Sequence, residues 1–190
     1  MNDKKNSDTI NFAKIPKDSQ RVYHGVRFDV YGMELPTKSG RKIRRELIVH
    51  PGAVVILPIL DDDRIVMIRN ERFAIGQTLW ELPAGTLEPN EPPKVTAGRE
   101  LIEETGYQAN VIEPLFSFYT TPGFCNELMY AFVAKDLKHI GQKLEESEKI
   151  TVEALSWKEV LTLIQDGILC DGKTIATLLY YKTFNADKFQ

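Results

Sequence analysis

The sequence predicts an α/β fold: an α/β/α sandwich around a mixed β-sheet, preceded by a small N-terminal antiparallel β-sheet extension. Three observations carry that expectation. Gly52-Ala-Val-Val-Ile-Leu-Pro-Ile-Leu60 is an uninterrupted apolar run, the pattern of a strand buried on both faces. Pro93–Thr105 has a proline at its entry and Gly106 at its exit, the punctuation of a helix. After further strands, Lys158–Asp166 and Thr174–Phe184 have the amphipathic spacing of helices that cover a sheet.

Along the chain, residues 1–20 are polar with scattered lysines and prolines and read as a mobile N-terminal arm. Arg21–Tyr31 alternates as a strand does, Thr37–Lys42 supplies turn chemistry, and Ile43–Val49 returns antiparallel. Residues 21–50 therefore form a β extension. A hairpin of that size is marginal alone, so it is expected to pack on the rest of the chain or on a partner subunit. The main domain spans residues 51–190. Its first strand turns through Asp61-Asp-Asp-Arg64, a solvated hairpin turn rather than a metal site, into a strand at Ile65–Ile68. Past the helix come strands at Ala109–Thr120 and Glu127–Ala134, a polar acidic loop at Leu137–Lys149, a strand at Ile150–Ser156 and the two closing helices.

Composition narrows the class. The chain has 190 residues, 43% hydrophobic and 27% charged, enough to bury a core without disulfides. A net charge of -3 leaves no electrostatic footprint for nucleic acid or an anionic membrane. Cys125 and Cys170 have no metal-ligand spacing and suit a reducing compartment. The N-terminus lacks a signal-like apolar core, and no run reaches the roughly 18 residues that span a bilayer, so a cytoplasmic protein is expected. His24, His50 and His139 show no clustering and read as structural.

Glu100, Glu103 and Glu104 lie three and four residues apart on the predicted helix, and so share one face. Glu-rich helices are usually solvated faces, but like charges at this spacing repel by a few tenths of a kcal/mol each. A hard divalent cation with oxygen ligands would offset that repulsion. The surrounding register favours the cation. Gly85, Glu91, Arg99-Glu100, Glu103-Glu104 and Gly106-Tyr107 stand at fixed separations, and chance agreement at all of them is on the order of 10⁻⁹ per starting point.

This segment resembles the Nudix box, G-x5-E-x7-R-E-U-x-E-E-x-G-U with U a bulky apolar residue. Every fixed position matches, with Tyr107 a mild variation in the last slot. The resemblance implies a hydrolase that cleaves a nucleoside diphosphate linked to another group, using Mg²⁺ (or Mn²⁺). By the same resemblance Glu100, Glu103, Glu104 and the backbone carbonyl of Ala84 hold the metal. Arg99 is expected on another face, pairing with Glu91 or a backbone group.

The flanks are similar to ADP-ribose and other nucleoside diphosphate sugar pyrophosphatases. The likeness rests on Arg69-Asn-Glu-Arg72 through Trp80-Glu81-Leu-Pro-Ala-Gly85 and on Pro122 beyond the box. It implies that Arg72 contacts the diphosphate, and that Glu81 lies near the metals or holds Arg72. A glutamate of the acidic loop completes the metal site or acts as general base; Glu145, Glu146 and Glu148 are candidates, with Glu148 favoured by its place before the Ile150 strand and Glu146 next. Related enzymes exchange the N-terminal sheet between two subunits. A homodimer follows by resemblance, with Phe28, Tyr31, Arg45 and Glu46 placed to reach the nucleotide; Phe28 and Tyr31 equally suit an interface core. Two other readings stay open: a Nudix hydrolase of dinucleoside polyphosphates or RNA 5′ ends, and a non-catalytic nucleotide-sugar sensor.

Overall fold

The computed structural model describes residues 15–26, 28–144, 146 and 148–185. Residues 1–14 of the expected arm, and Glu145 among the candidate bases, lie outside the described residues. Strands β1 (Gln20–His24), β2 (Asp29–Pro36) and β3 (Lys42–Val49) form an antiparallel sheet in the order β1-β2-β3. The run Arg21–Tyr31, expected as one strand, is two. The chain turns at Gly25, whose N–H donates to the Phe28 carbonyl (3.1 Å), so alternation continued across a break that period alone does not reveal.

Two further sheets follow. One has the order β7 (Ala84–Thr86), β4 (Ala53–Pro58), β9 (Leu128–His139), β8 (Tyr107–Tyr119). Its β4–β9 pairing is parallel and the others are antiparallel, so the sheet is mixed. The second is antiparallel, with order β10 (Ile150–Leu155), β5 (Ile65–Arg72), β6 (Gln77–Glu81). Helices α1 (Pro93–Thr105), α2 (Trp157–Gln165) and α3 (Gly172–Phe184) complete the fold.

Every residue of β4 is buried because both faces of its sheet are covered. Side chains alternate across a strand. Val54 and Ile56 meet Ala97 and Leu101 of α1, while Val55 and Leu57 join Val160, Leu178 and Tyr181 of α2 and α3. Two cores therefore share one strand, and full burial of Leu57 stabilises the fold by about 2 kcal/mol relative to exposure.

Helix α1 matches its expected bounds. Pro92 and Pro93 pre-set its entry, and Gly106 closes it in the left-handed region (φ 75), donating to the Ile102 carbonyl. The last two helices begin earlier than expected, at caps: Ser156 forms a capping box with Glu159, and Asp171 accepts from the Thr174 N–H. Strand β9 runs to His139, beyond the expected end, because its polar residues continue the ladder with the start of β8. Among the described residues, no helix is long and apolar enough to cross a membrane.

Candidate active site

The glutamate cluster sits where α1 packs beside the short strand β7. Glu100 and Glu104 lie on the buried side of α1 with Ala97 and Leu101, so the core-facing stripe carries two carboxylates. Glu103 is more open, with 32% of its side chain exposed. The approach to β7 is close enough that Gly85 has no room for a Cβ, which would overlap the Glu100 carboxyl. One residue earlier, the Ala84 N–H donates to Glu104 Oε2 (2.8 Å).

Burial is the main cause of an unusual electrostatic state. It lifts Glu100 to about 7, against the opposing charge of Arg99 and with help from the Glu103 and Glu148 charges. It lifts Glu104 to about 8, opposed by the Ala84 N–H and assisted by Glu100 and Glu148. Desolvation and mutual repulsion together keep a proton on this pair where free carboxylates would have none.

Arg99 corrects one expectation. Its Nε and Nη2 do donate to Glu91 (3.3 and 3.1 Å), and Thr96 Oγ1 adds a third bond to that carboxylate. Its Nη1, however, turns to the cluster and donates to Glu100 Oε1 (2.8 Å) and Glu103 Oε2 (2.9 Å). A guanidinium is long enough to bridge two faces of its own helix, so spacing alone does not assign it one. The Arg99 bonds hold Glu91 below the usual carboxylate range.

With Arg99 drawing Glu100 and Glu103, and Ala84 holding Glu104, no three acidic, histidine or cysteine side chains converge in metal-ligand geometry among the described residues. The donor set still fits a hard divalent cation in chemistry. It offers oxygen ligands from adjacent helical turns, desolvated and mutually repelling, whose ionised form a cation would stabilise. Glu148 belongs to this field: it is half-buried, and its charge bears on both Glu100 and Glu104. Glu146 is exposed.

Arg72, registered opposite Gln77 near the turn of the β5–β6 hairpin, reaches back along it to Glu81, which is registered opposite Ile68. Arg72 donates side-on, Nε to Oε1 (2.7 Å) and Nη2 to Oε2, and Glu81 has no exposed surface. Glu81, expected near the metals or holding Arg72, makes the Arg72 contact here. That pairing raises the Arg72 pKa against the opposing effect of burial, and the charges of Glu104 and Asp171 act in the same direction as the pairing. Sequence reasoning missed Lys173, whose Nζ also donates to Glu81 Oε2, and Asp171, which pairs with Lys173 at 3.0 Å. The Asp-Gly-Lys-Thr start of α3 was a visible cap signal, but nothing local placed it against β6.

The nucleotide candidates of the N-terminal sheet lie on or beside β2 and β3. Phe28 is 41% exposed, Arg45 donates to the Arg44 carbonyl (3.1 Å), and Glu46 accepts from Arg44 Nε (3.1 Å). Tyr31 is half-buried on β2. Pro122 lies on an exposed turn that is tied to β3. The Ile48 N–H donates to the Phe124 carbonyl (2.8 Å), and the His50 N–H to Asn126 Oδ1 (2.8 Å).

Known proteins match this chain in sequence and in fold. The model of the NUDIX domain matches residues 49–178. An ADP-ribose pyrophosphatase of Bacillus subtilis (strain 168) is 35% identical over 163 residues, 85% of this chain and 88% of that protein. A methanol dehydrogenase activator of Bacillus methanolicus is 37% identical over 174 residues, covering 90% and 93%. A GDP-mannose pyrophosphatase of Escherichia coli O139:H28 (strain E24377A / ETEC) is 33% identical over 184 residues, covering 90% and 92%. In fold, the chain is similar to a crystal structure of an ADP compounds hydrolase, with TM-score 0.79, 22% identity and coverage of 90% and 94%. The chain belongs to the Nudix family. Within it, the chain is a Nudix pyrophosphatase, a hydrolase of phosphoanhydrides.

Proposed function

We propose that this enzyme hydrolyses ADP-ribose or a related nucleoside diphosphate sugar, with Mg²⁺ or Mn²⁺, to a nucleoside monophosphate and a sugar phosphate. The observation that carries the reading is the buried Glu100–Glu104 pair, kept partly protonated by its surroundings and set beside the Arg72–Glu81 fork. Glu100, Glu103, Glu104 and the Ala84 carbonyl would hold the cation. When bound, it supplies charge neutralisation at the diphosphate and a more acidic water.

The chain's own residues do the rest. The Nη1 edge of Arg72, which its Glu81 pairing leaves unused, binds a diphosphate oxygen, a geometry suited to guanidinium. Arg99 and the Ala84 N–H hold the three glutamates, and those bonds yield as the carboxylates turn to the cation. Glu148 accepts the proton of the attacking water, with Glu146 the alternative base. Water adds to one phosphorus, the bridging anhydride bond breaks, and the second phosphate leaves with its sugar. Pro122 shapes the loop over the sugar side.

The reading extends to a cytoplasmic homodimer with exchanged N-terminal sheets, so that Phe28, Arg45 and Glu46 of one subunit reach the nucleotide of the other. Exposed Val22, Tyr23 and Leu35 on a three-stranded sheet, with exposed Phe28 in its first turn, support it. Residues 21–50 then serve dimerisation and 51–190 catalysis. A panel of ADP-ribose, ADP-glucose, GDP-mannose, UDP-glucose, diadenosine polyphosphates and triphosphorylated RNA tests the substrate class. Preference for the last two groups rejects it, and tight binding of a nucleotide sugar without turnover makes the protein a sensor. The likeness to a methanol dehydrogenase activator favours a second reading, action on a dehydrogenase. Unchanged turnover of a methanol dehydrogenase on addition of this chain rejects that reading.

A further inference from the structure

Glu81 closes β6 with no exposed surface, and Arg72 engages both of its oxygens. A second cation comes from the far end of the chain. Lys173 Nζ, in the first turn of α3, donates to the same Oε2 and forms an ion pair with Asp171 Oδ2 (3.0 Å), with only 13% of its side chain exposed. The next residue staples the same turn to the same strand end, because the Leu82 N–H donates to Thr174 Oγ1 (2.8 Å). Asp171 caps the helix through the Thr174 N–H (3.0 Å). The start of α3 is thus registered against Glu81–Leu82 by a short ion pair and a buried hydrogen bond.

This registration matters because of what Arg72 has left to offer. A guanidinium presents its donors in a rigid fork, and side-on pairing occupies the Nε/Nη2 edge. Nη1 makes no hydrogen bond among the described residues, and 37% of the Arg72 side chain is exposed. The direction of that free edge follows from where Glu81 is held. With Lys173 absent, Glu81 has one cation instead of two and is free to turn with Arg72, and the free edge loses its fixed direction.

We propose that Lys173 is a positioning residue for hydrolysis: by holding Glu81 it sets which edge of the Arg72 guanidinium meets the substrate diphosphate. The inference rests on the reading that Arg72 binds that diphosphate.

Steady-state kinetics on ADP-ribose with Mg²⁺ test it in the full-length protein. Lys173→Met is expected to lower kcat/KM on the order of tenfold to a hundredfold, chiefly through KM, as misplacement of a binding group does. Lys173→Arg should recover most of the loss, because a guanidinium also reaches Glu81 and Asp171. In an Arg72→Ala background Lys173→Met should have little further effect, since residues acting through one contact are not additive. Thr177→Val removes the hydroxyl bonded to the Lys173 carbonyl and loosens the same helix; it should lower Tm without moving KM. Additive losses, or a Lys173→Met variant that loses only Tm, overturn the proposal. If wild type turns over no nucleoside diphosphate sugar, the functional reading fails, and positioning is then read from the NMR signal of the Arg72 Nε–H. Slow exchange in wild type and Lys173→Arg with fast exchange in Lys173→Met supports the proposal. Equal exchange in all three overturns it.

Discussion

Stability should fall as pH rises when divalent metal is removed, and Glu104→Gln should make that fall shallower by removing one of the two carboxyls behind it. The ordinary value for both carboxyls is 4.5, while the folded protein holds Glu100 at about 7 and Glu104 at about 8. Native pKa values above unfolded ones mean that the native state binds more protons between those limits. Stability is therefore full below pH 4.5 and is lost as pH rises towards 8. The Glu100 displacement corresponds to roughly 3 kcal/mol, at ~1.4 kcal/mol per pH unit. The Glu104 displacement is not added in full, because the charge of Glu100 is part of what raises it. For a chain of this size roughly 3 kcal/mol is about 6–12 °C in Tm. Thermal unfolding between pH 5 and 8.5 in a chelator should show that decline, and Mg²⁺ should flatten it by binding the ionised form. Glu104→Gln stays neutral, keeps an oxygen for the Ala84 N–H, and should be the more stable protein at pH 8. A wild-type Tm that is level or rising over this range, or an equal slope in the variant, would refute the electrostatic reasoning.

Other perturbations follow from single contacts. Gly85→Ala places a methyl group against the Glu100 carboxyl and should destabilise by about 1–3 kcal/mol while lowering turnover, measured by denaturant melts and initial rates. Glu148→Gln should reduce kcat by roughly 10²–10⁴, the range for a general base, while Glu146→Gln should change it little; the reverse order reassigns the base. Sedimentation should give a dimer mass, and deletion of residues 1–50 should yield a monomer with weakened nucleotide binding. A stable, fully active monomer removes the exchanged sheet.

Features encoded locally were legible in the sequence. The apolar run of β4 appears as read because each of its faces has its own core, and the ends of α1 fall at Pro93 and Gly106 because backbone chemistry punctuates there. The glutamates share a face for the same reason, since helical periodicity requires no knowledge of the rest of the fold. What escaped was reach and distance. Arg99 spans to Glu103 because a long flexible side chain is not confined to the face of its Cα. Lys173 meets Glu81 from 92 residues away, a contact that exists only once α3 has packed beside the end of β6. The break between β1 and β2 is set by one turn hydrogen bond, which alternation does not register.

The most direct test of the central claim is ³¹P NMR of ADP-ribose incubated with the protein and Mg²⁺, wild type beside Glu104→Gln. Wild type should convert the diphosphate resonances into those of a nucleoside monophosphate and a sugar phosphate. The variant should be slower by on the order of a thousandfold, as expected when a cation contributing several kcal/mol to the transition state loses a ligand. Equal rates in the two proteins, or no product from wild type in the presence of metal, would contradict a Nudix metal site built on Glu100 and Glu104.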